Sequence, residues 1–457
     1  MDDTIKQALI DIVDQSNYTD ALIDLVSYSY DASAHKYRPE AAVWPTSSDQ
    51  VSRILAMANR YRFPVIPRGA GTGLAGAAVP EHGGLVLDMC RMNKILDIRI
   101  ADRLAVVQPG VIYADLQKAL EPYGFFFPPD PASGNVCTLG GNVATNAGGI
   151  KGAKYGVTKD YVLGLEVVLP DGRIMPTGSK CMKSASGYDL TRLLIGSEGT
   201  LAVITEIVLK ISPKPLAVKT SLAYFASLKE AGQAVTAIMN SGIIPSVLEL
   251  LDENTIRVLR EHADMNFPDI TAILLVETDG YTETEASYQM EKVIKAFKKH
   301  NATQIRMAGT ADEAEELWKA RKSAGSVAAS LGTNNLSEDV TVPISKIADL
   351  LTRISDIVRR YNLPFVVFGH AGDGNFHPKI MYNSYDPDQV ERVHHAVDEI
   401  FKLTCELGGT LTGEHGIGLA KAPFMSLEHD PVTIDVMRNI KRLLDPKNIL
   451  NPGKMAL

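Results

Sequence analysis

Apolar and polar positions alternate in two different rhythms along the chain. Up to about residue 215, short β-branched runs such as Leu85-Val86-Leu87, Ala105-Val106-Val107 and Leu165-Glu166-Val167-Val168-Leu169 are separated by Asp-Gly and Pro-Gly turns. This is the pattern of strands joined by long loops. From about 216, Leu222 to Phe225 reads as a strand and Ser227-Leu228-Lys229-Glu230 as a capping box that opens a helix. Strand-like Val247 to Leu251 follows. The alternation returns as Ile270 to Glu277, a helix opened by Thr282-Glu283-Thr284-Glu285, and Gln304 to Met307. It returns again as Val340 to Val342, a helix from Ser345, and Phe365 to Phe368. Repeated strand-helix-strand units predict an antiparallel or mixed sheet with helices on one face. A further helical stretch runs from about 387 to 407, and its His394 and His395 read as solvated residues; His82 reads as a turn residue.

Composition narrows the class of protein. The chain has 457 residues, 45% hydrophobic and 22% charged, which is enough apolar material for two or three folded domains. Lysine and arginine number 46 against 54 aspartates and glutamates, a net charge of −8, so the basic footprint of a nucleic-acid binder is absent. No uncharged apolar run reaches the roughly 18 residues of a membrane span. The start, Met1-Asp2-Asp3-Thr4, lacks the basic and apolar regions of a secretory signal. A cytoplasmic protein is predicted, with no transmembrane segment and with peripheral membrane contact left open. Cys90, Cys137, Cys181 and Cys405 are too scattered for a disulfide framework or a cysteine-held metal, and read as small buried hydrophobes.

Three glycine loops carry candidate chemistry. Pro67-Arg68-Gly69-Ala70-Gly71-Thr72-Gly73-Leu74-Ala75-Gly76 follows the strand-like Phe63 to Ile66, and such spacing lets backbone N–H groups close around a phosphate. Gly71-x-Gly73-x-x-Gly76 formally matches the dinucleotide fingerprint but lacks its early position and the acidic residue about 20 positions later. The second loop, from Pro131 to Gly149, mixes glycines with small amide and hydroxyl side chains suited to the edges of a flat heterocycle. The third, from Gly196 to Thr205, has a strand behind it. Any one loop could be a tight turn; three in one half of the chain point to a large cofactor.

Seven motifs in order then carry a resemblance over nearly the whole chain: PRGAGTGLAG at 67–76, TLGGNVATNAGG at 138–149, YGVTKDYVLGLEVVLPDG at 155–172, GSEGTLAVITE at 196–206, GHAGDGNFH at 369–377, GEHGIG at 413–418 and LDPKNILNPGK at 444–454. The sequence resembles the FAD-linked oxidases of the vanillyl-alcohol oxidase type, in the branch of the D-lactate dehydrogenases, glycolate oxidases and D-2-hydroxyglutarate dehydrogenases. The resemblance implies an α+β fold. A two-part FAD-binding domain with an N-terminal helical segment would span 1–215. A cap domain with an antiparallel sheet, covering helices and the substrate and metal site would span 216–420, and a segment at 421–457 would return to the FAD domain. It also implies that Arg68, Gly69, Ala70, Gly71, Thr72 and Gly73 hold the pyrophosphate. Pro131, Gly134, Thr138, Gly141, Asn142, Thr145, Gly148, Glu198, Gly199 and Val203 would line the rest. Some relatives attach FAD through a histidine in the first loop; none lies between Arg68 and Gly76, so non-covalent FAD is expected.

His370 and His377 lie seven apart across a glycine turn, and Glu414-His415 adds a carboxylate and a third imidazole from far along the chain. Such groups suit a borderline transition metal; taken alone, two histidines in a turn are more often hydrogen-bonded structural residues and a lone Glu-His pair is usually on the surface. The resemblance implies that His370, His377 and Glu414 bind a divalent metal, such as zinc, iron(II) or manganese, and that His415 is the catalytic base. It assigns Arg321, in Trp318-Lys319-Ala320-Arg321, to a substrate carboxylate. Relatives that use dicarboxylates carry a lysine before the next strand, and Asn335-Leu336-Ser337-Glu338-Asp339-Val340 has none, so a small monocarboxylate is expected. The implied activity is oxidation of a small 2-hydroxy acid, D-lactate to pyruvate first and glycolate next. Proton abstraction at His415 and hydride transfer to FAD would be followed by passage of electrons to an external acceptor such as an electron-transfer flavoprotein or another redox subunit. A glycolate oxidase FAD subunit, a metal-dependent hydrolase and a non-catalytic flavin relay subunit are the alternatives.

Overall fold

The computed structural model describes residues 2–263 and 265–457; Met1, which opens the acidic start, lies outside the described residues. Contacts divide the chain into two compact units. The first comprises Met1–Gly148, Val157–Pro213 and Glu414–Leu457, the second Gly149–Gly156 and Lys214–Gly413.

The first unit has two main sheets. In the smaller, strand Ala41–Val43 pairs antiparallel with Tyr18–Thr19 and parallel with Leu85–Asp88, which pairs parallel with Val65–Arg68 at the edge. That edge position tolerates Pro67, which has no N–H to donate. Helix Ser48–Tyr61, capped by Ser47, buries Val51, Ile54, Leu55 and Ala58 against this sheet's core, joined by Leu9 and Val13 of helix Asp3–Val13. The larger sheet is antiparallel, with strands Ile95–Arg99, Leu104–Val107, Val203–Lys210, Val162–Val168 and Ile174–Gly178 in that spatial order. The last chain segment completes the unit: Leu450 bridges to Val65, Asn451 Nδ2 donates to the Ala77 and Glu198 carbonyls, and Lys454 Nζ donates to Val79.

Among the described residues the second unit is built on an eight-stranded antiparallel sheet. Strand Ala217–Phe225 pairs with Ala272–Gly280, which pairs with Val247–Asp252; Phe365–His370 and Asn375–Tyr382 continue from there. The predicted caps form: Ser227 accepts from Glu230 N–H to open Leu228–Met239, and Thr282 accepts from Glu285 N–H to open Glu283–Lys299. The sequence reading put helices on one face, and the structure corrects this. Leu222 and Tyr224 pack with residues of helices Glu253–His262 and Ala311–Ala329, whereas Phe225 points the opposite way, its ring 6.0 Å from Phe297 of Glu283–Lys299. Successive strand residues face opposite sides, so apolar residues at adjacent positions of this strand require two covered faces.

The second unit ends at Gly413 rather than near 420 because the next residues bond within the first unit. Ala75 O accepts from both the Leu419 and Ala420 N–H groups. Cysteine also departs from expectation: Cys137 is buried, but Cys181 is exposed and Cys90 and Cys405 are half-buried.

Candidate functional site

In the first unit the glycine loops surround a cleft of about 450 Å³. Arg68, Gly69, Ala70, Gly71, Thr72 and Gly73 line one side, and Pro131, Thr138, Gly141, Asn142, Thr145, Gly148, Glu198, Gly199 and Val203 line the rest. Gly134 does not line it. A Cβ there would stand 2.8 Å from the Tyr113 ring, so Gly134 is required by packing and not by the cleft. Ser133, Cys137, Ala144 and Ile204, within the second and third glycine loops, also line the cleft; Met89 and Pro109 do so without any prior signal, because small and apolar wall residues look like ordinary core in sequence.

Backbone geometry explains the glycines that matter most. Gly71 has φ +70°, and its missing side chain leaves the space filled by the Arg68 guanidinium, which packs 5.6 Å from the Tyr28 ring centroid. At Gly148 a Cβ would press within 2.8 Å of Glu414 Oε2. Asn142 is buried and its Nδ2 has no hydrogen-bond partner among the described residues. An unpaired amide on a cleft wall fits a ligand with polar edges, such as a flavin.

Glu414 and His415 line the same cleft. The residues just after them are held by Glu198, whose Oε1 accepts from Ile417 N–H at 2.6 Å and whose Oε2 accepts from Gly418 N–H at 2.7 Å. Glu198 itself sits at φ +52°. Burial pushes its carboxyl up to about 7, against the pull of the two N–H donors and of Lys454 and Lys421. Burial likewise brings Lys454 down to about 8, with Glu81, Glu198 and Asp31 opposing. Sequence reading gave Glu198 a cofactor contact and missed its grip on this loop.

In the second unit, the hairpin of Phe365–His370 and Asn375–Tyr382 sets Phe368 opposite His377 and His370 opposite Asn375. Gly374, at φ +81°, closes the turn. Both imidazoles are buried, their rings tilted at 80° with Nε2 atoms 3.4 Å apart. Behind them stands Glu249, fully buried and directly across the sheet from His370. Its Oε1 lies 2.5 Å from His370 Nδ1, and its Oε2 accepts from Arg321 Nε. Burial acts to raise the Glu249 pKa, yet the charges and hydrogen bonds of His370 and Arg321 hold it down at about 2.

Arg321 is therefore not a helix-surface residue; its side chain is 17% exposed and its guanidinium lies 4.6 Å from the Phe368 ring centroid. Asp339, also missed, is fully buried. Its Oδ2 accepts from Thr412 Oγ1 at 2.6 Å and from Gly413 N–H at 2.9 Å, and its Oδ1 lies 3.9 Å from His377 Nδ1. The overlooked signal for Glu249 was a carboxylate inside the apolar run Val247-Leu248-Glu249-Leu250-Leu251. By contrast, His82, His394 and His395 are solvated, and His395 stacks on Tyr361.

Comparison with known proteins is consistent across the chain. The family model for the FAD linked oxidases, C-terminal domain, matches residues 214–455, and that for a FAD binding domain matches 39–178. The chain is 45% identical to glycolate oxidase subunit GlcD of Bacillus subtilis, covering 99% of this chain and 96% of that protein. It is 38% identical to GlcD of Escherichia coli K12, over 94% and 86%, and 37% identical to the mitochondrial D-lactate dehydrogenase [cytochrome] of Arabidopsis thaliana, over 91% and 73%. In fold it is similar to p-cresol methylhydroxylase with substrate bound, at a TM-score of 0.84 and 19% identity, covering 99% of this chain and 96% of that one. The chain belongs to the FAD-linked oxidases, in the branch of the glycolate oxidase subunits and D-lactate dehydrogenases, has the vanillyl-alcohol oxidase type of fold, and is a FAD-linked oxidoreductase.

Proposed function

We propose that the chain oxidises a 2-hydroxy acid to the 2-oxo acid, with D-lactate and glycolate as the short members of the class. The observation that carries this reading is the histidine pair locked by Glu249. A separation of 3.4 Å between Nε2 atoms suits two imidazoles that each keep about 2.1 Å from one ion. A carboxylate at Nδ1 favours the tautomer that places the ligating lone pair of His370 on Nε2. His370, His377 and Glu414 would hold a divalent metal such as zinc, iron(II) or manganese, which would supply Lewis acidity toward the oxygens of a 2-hydroxy acid. Glu414 follows directly on Gly413, whose N–H is tied to Asp339 beside His377.

FAD in the first-unit cleft supplies the hydride acceptor. His415 lines that cleft and takes the hydroxyl proton on an imidazole nitrogen as the base. Arg321, oriented through its Nε by Glu249, offers its terminal guanidinium nitrogens to a substrate carboxylate. The printed names of the relatives, glycolate oxidase subunit and D-lactate dehydrogenase, support the substrate class. Electrons then pass to an external acceptor, an electron-transfer flavoprotein or another redox subunit; the relatives named as subunits support a partner.

The test is anaerobic flavin absorbance with D-lactate and with glycolate, beside a chelator-treated sample. Bleaching that the chelator abolishes and added metal restores is expected. His415→Asn should slow bleaching by about 10²- to 10⁴-fold while flavin content is retained. A flavin that no 2-hydroxy acid reduces would refute the reading.

A further inference from the structure

One helix behind the FAD cleft is apolar on two sides. Helix Pro431–Leu444 turns Ile440 and Leu444 onto the core of the larger sheet. Its Lys441 is buried and donates from Nζ to the Thr200 carbonyl at 2.8 Å. Thr200 follows Gly199 directly and precedes Ala202 by two positions, and both of those residues line the cleft. The inner side of the helix therefore backs the cleft wall. Facing away from that core, Val432, Val436 and Leu443 are 72%, 51% and 79% exposed. With Asn439 they recur at intervals of four, three and four, which sets them in one stripe along the helix. A helix on a protein surface needs one apolar stripe for its own core; here a second one is left uncovered.

The charges beside the outer stripe are one-sided. Arg438, Arg442 and Lys447 are exposed, and they donate to oxygens of Ala456, Asn439 and Asn59. Among the described residues no carboxylate pairs with any of the three. Of the two acids between 432 and 447, Asp445 is buried on Lys441 and Asp435 accepts from Asn439 Nδ2. A chain of net charge −8 thus offers a cationic edge at this point. Cations near a helix C-terminus complement its dipole, which accounts for the arginines but not for the valines and leucine beside them. Three apolar side chains cover far less than the roughly 800 Å² that each partner of a stable complex buries, whereas brief redox encounters use small faces.

We propose that the outer face of Pro431–Leu444 docks an acidic electron-transfer protein, steered by the three cations and seated on the apolar stripe. This rests on the reading that electrons leave for an external redox partner. A docked partner stands one helix, about 10–12 Å across, from the cleft wall. Two electrons pass from the anionic reduced flavin to the partner's redox centre, one proton is released to water, and the flavin returns to FAD.

The test runs the exchange in reverse, with a plant-type [2Fe–2S] ferredoxin as the acidic, low-potential probe. The ferredoxin is reduced, freed of reductant and mixed anaerobically with FAD-loaded enzyme; two ferredoxins and one proton reduce each FAD, followed by flavin absorbance. The wild-type second-order rate constant should fall at least about 10-fold between low and high salt. Val432→Glu with Leu443→Glu should slow the reaction at low salt by about 10-fold or more, and Arg442→Gln should flatten the salt dependence. Reduction by dithionite, which needs no docking, should stay within about twofold in every variant, with flavin content and thermal midpoint reporting folding. A wild-type rate indifferent to salt, or unchanged rates in the variants, overturns the proposal. So does a wild-type dimer in sedimentation equilibrium that the double variant dissociates, or binding to phosphatidylglycerol vesicles that it abolishes, since the face then belongs to a second copy or to a membrane. No hydroxy acid enters this measurement, so a flavin that such substrates fail to reduce would sink the functional reading while leaving the docking result to stand or fall by itself.

Discussion

Glu249 shows how much one buried carboxylate determines. It is fully buried, joins His370 to Arg321, and is held at about 2 although burial alone would raise it. Its folded value lies below its unfolded 4.5, so its stabilisation is present above the unfolded value and is lost as pH falls from about 4.5 towards 2. Glu249→Gln should flatten the acid limb of the stability profile, measured by denaturant titration across that range. The same variant should weaken metal binding by about 10- to 100-fold, the usual cost of removing a group behind a ligand, read by metal content after dialysis. The two histidines were legible in sequence because glycine brackets them. Glu249 was not, since its partners come from a strand and a helix more than 70 positions away and nothing local marks it except a charge among leucines.

At the scale of elements, the loop carrying Glu414 and His415 depends on the Glu198 clamp. The folded Glu198 carboxyl lies near 7, above its unfolded 4.5. Its contribution to stability is therefore fully present below 4.5 and is lost as pH rises through about 7, because the folded state prefers the protonated form. The loop responds in the opposite sense: ionisation strengthens both N–H bonds, so amide exchange at Ile417 and Gly418 should slow as pH rises through about 7, after correction for intrinsic exchange. Glu198→Gln should abolish that step. Gly148→Ala offers a second check, since its Cβ would meet Glu414 Oε2 at 2.8 Å. It should lower metal content more than flavin content, measured on one preparation. Elements with a cap and a clean period, such as Leu228–Met239 and Glu283–Lys299, could be placed from sequence alone. Helix Glu253–His262 could not, because Asp252 ends the preceding strand and caps the helix at once, leaving no turn between them.

For the whole molecule, the first unit is assembled from three stretches of chain. Its edge strand Val65–Arg68 is backed by Leu450, and the Asn451 and Lys454 side chains bond the Ala77, Glu198 and Val79 carbonyls. Ending the chain at residue 420 should thus abolish flavin binding, seen as loss of visible absorbance after gel filtration. Motifs such as LDPKNILNPGK marked this tail as important. Composition could not say what it touches, because pairing across nearly 400 positions leaves no local periodicity. No helix among the described residues is long and apolar enough to cross a membrane.

The discontinuity of that first unit has a consequence during synthesis. About 237 residues separate Pro213 from Leu450, and at about 5–20 residues per second the ribosome needs roughly 12–50 seconds to make them. During that interval the second unit, which runs to Gly413, is synthesised and free to fold, while the strand Val65–Arg68 waits for Leu450 beside it. Cofactor uptake is in this way deferred until Leu450 has been added, and a nascent chain stalled before residue 450 should emerge colourless.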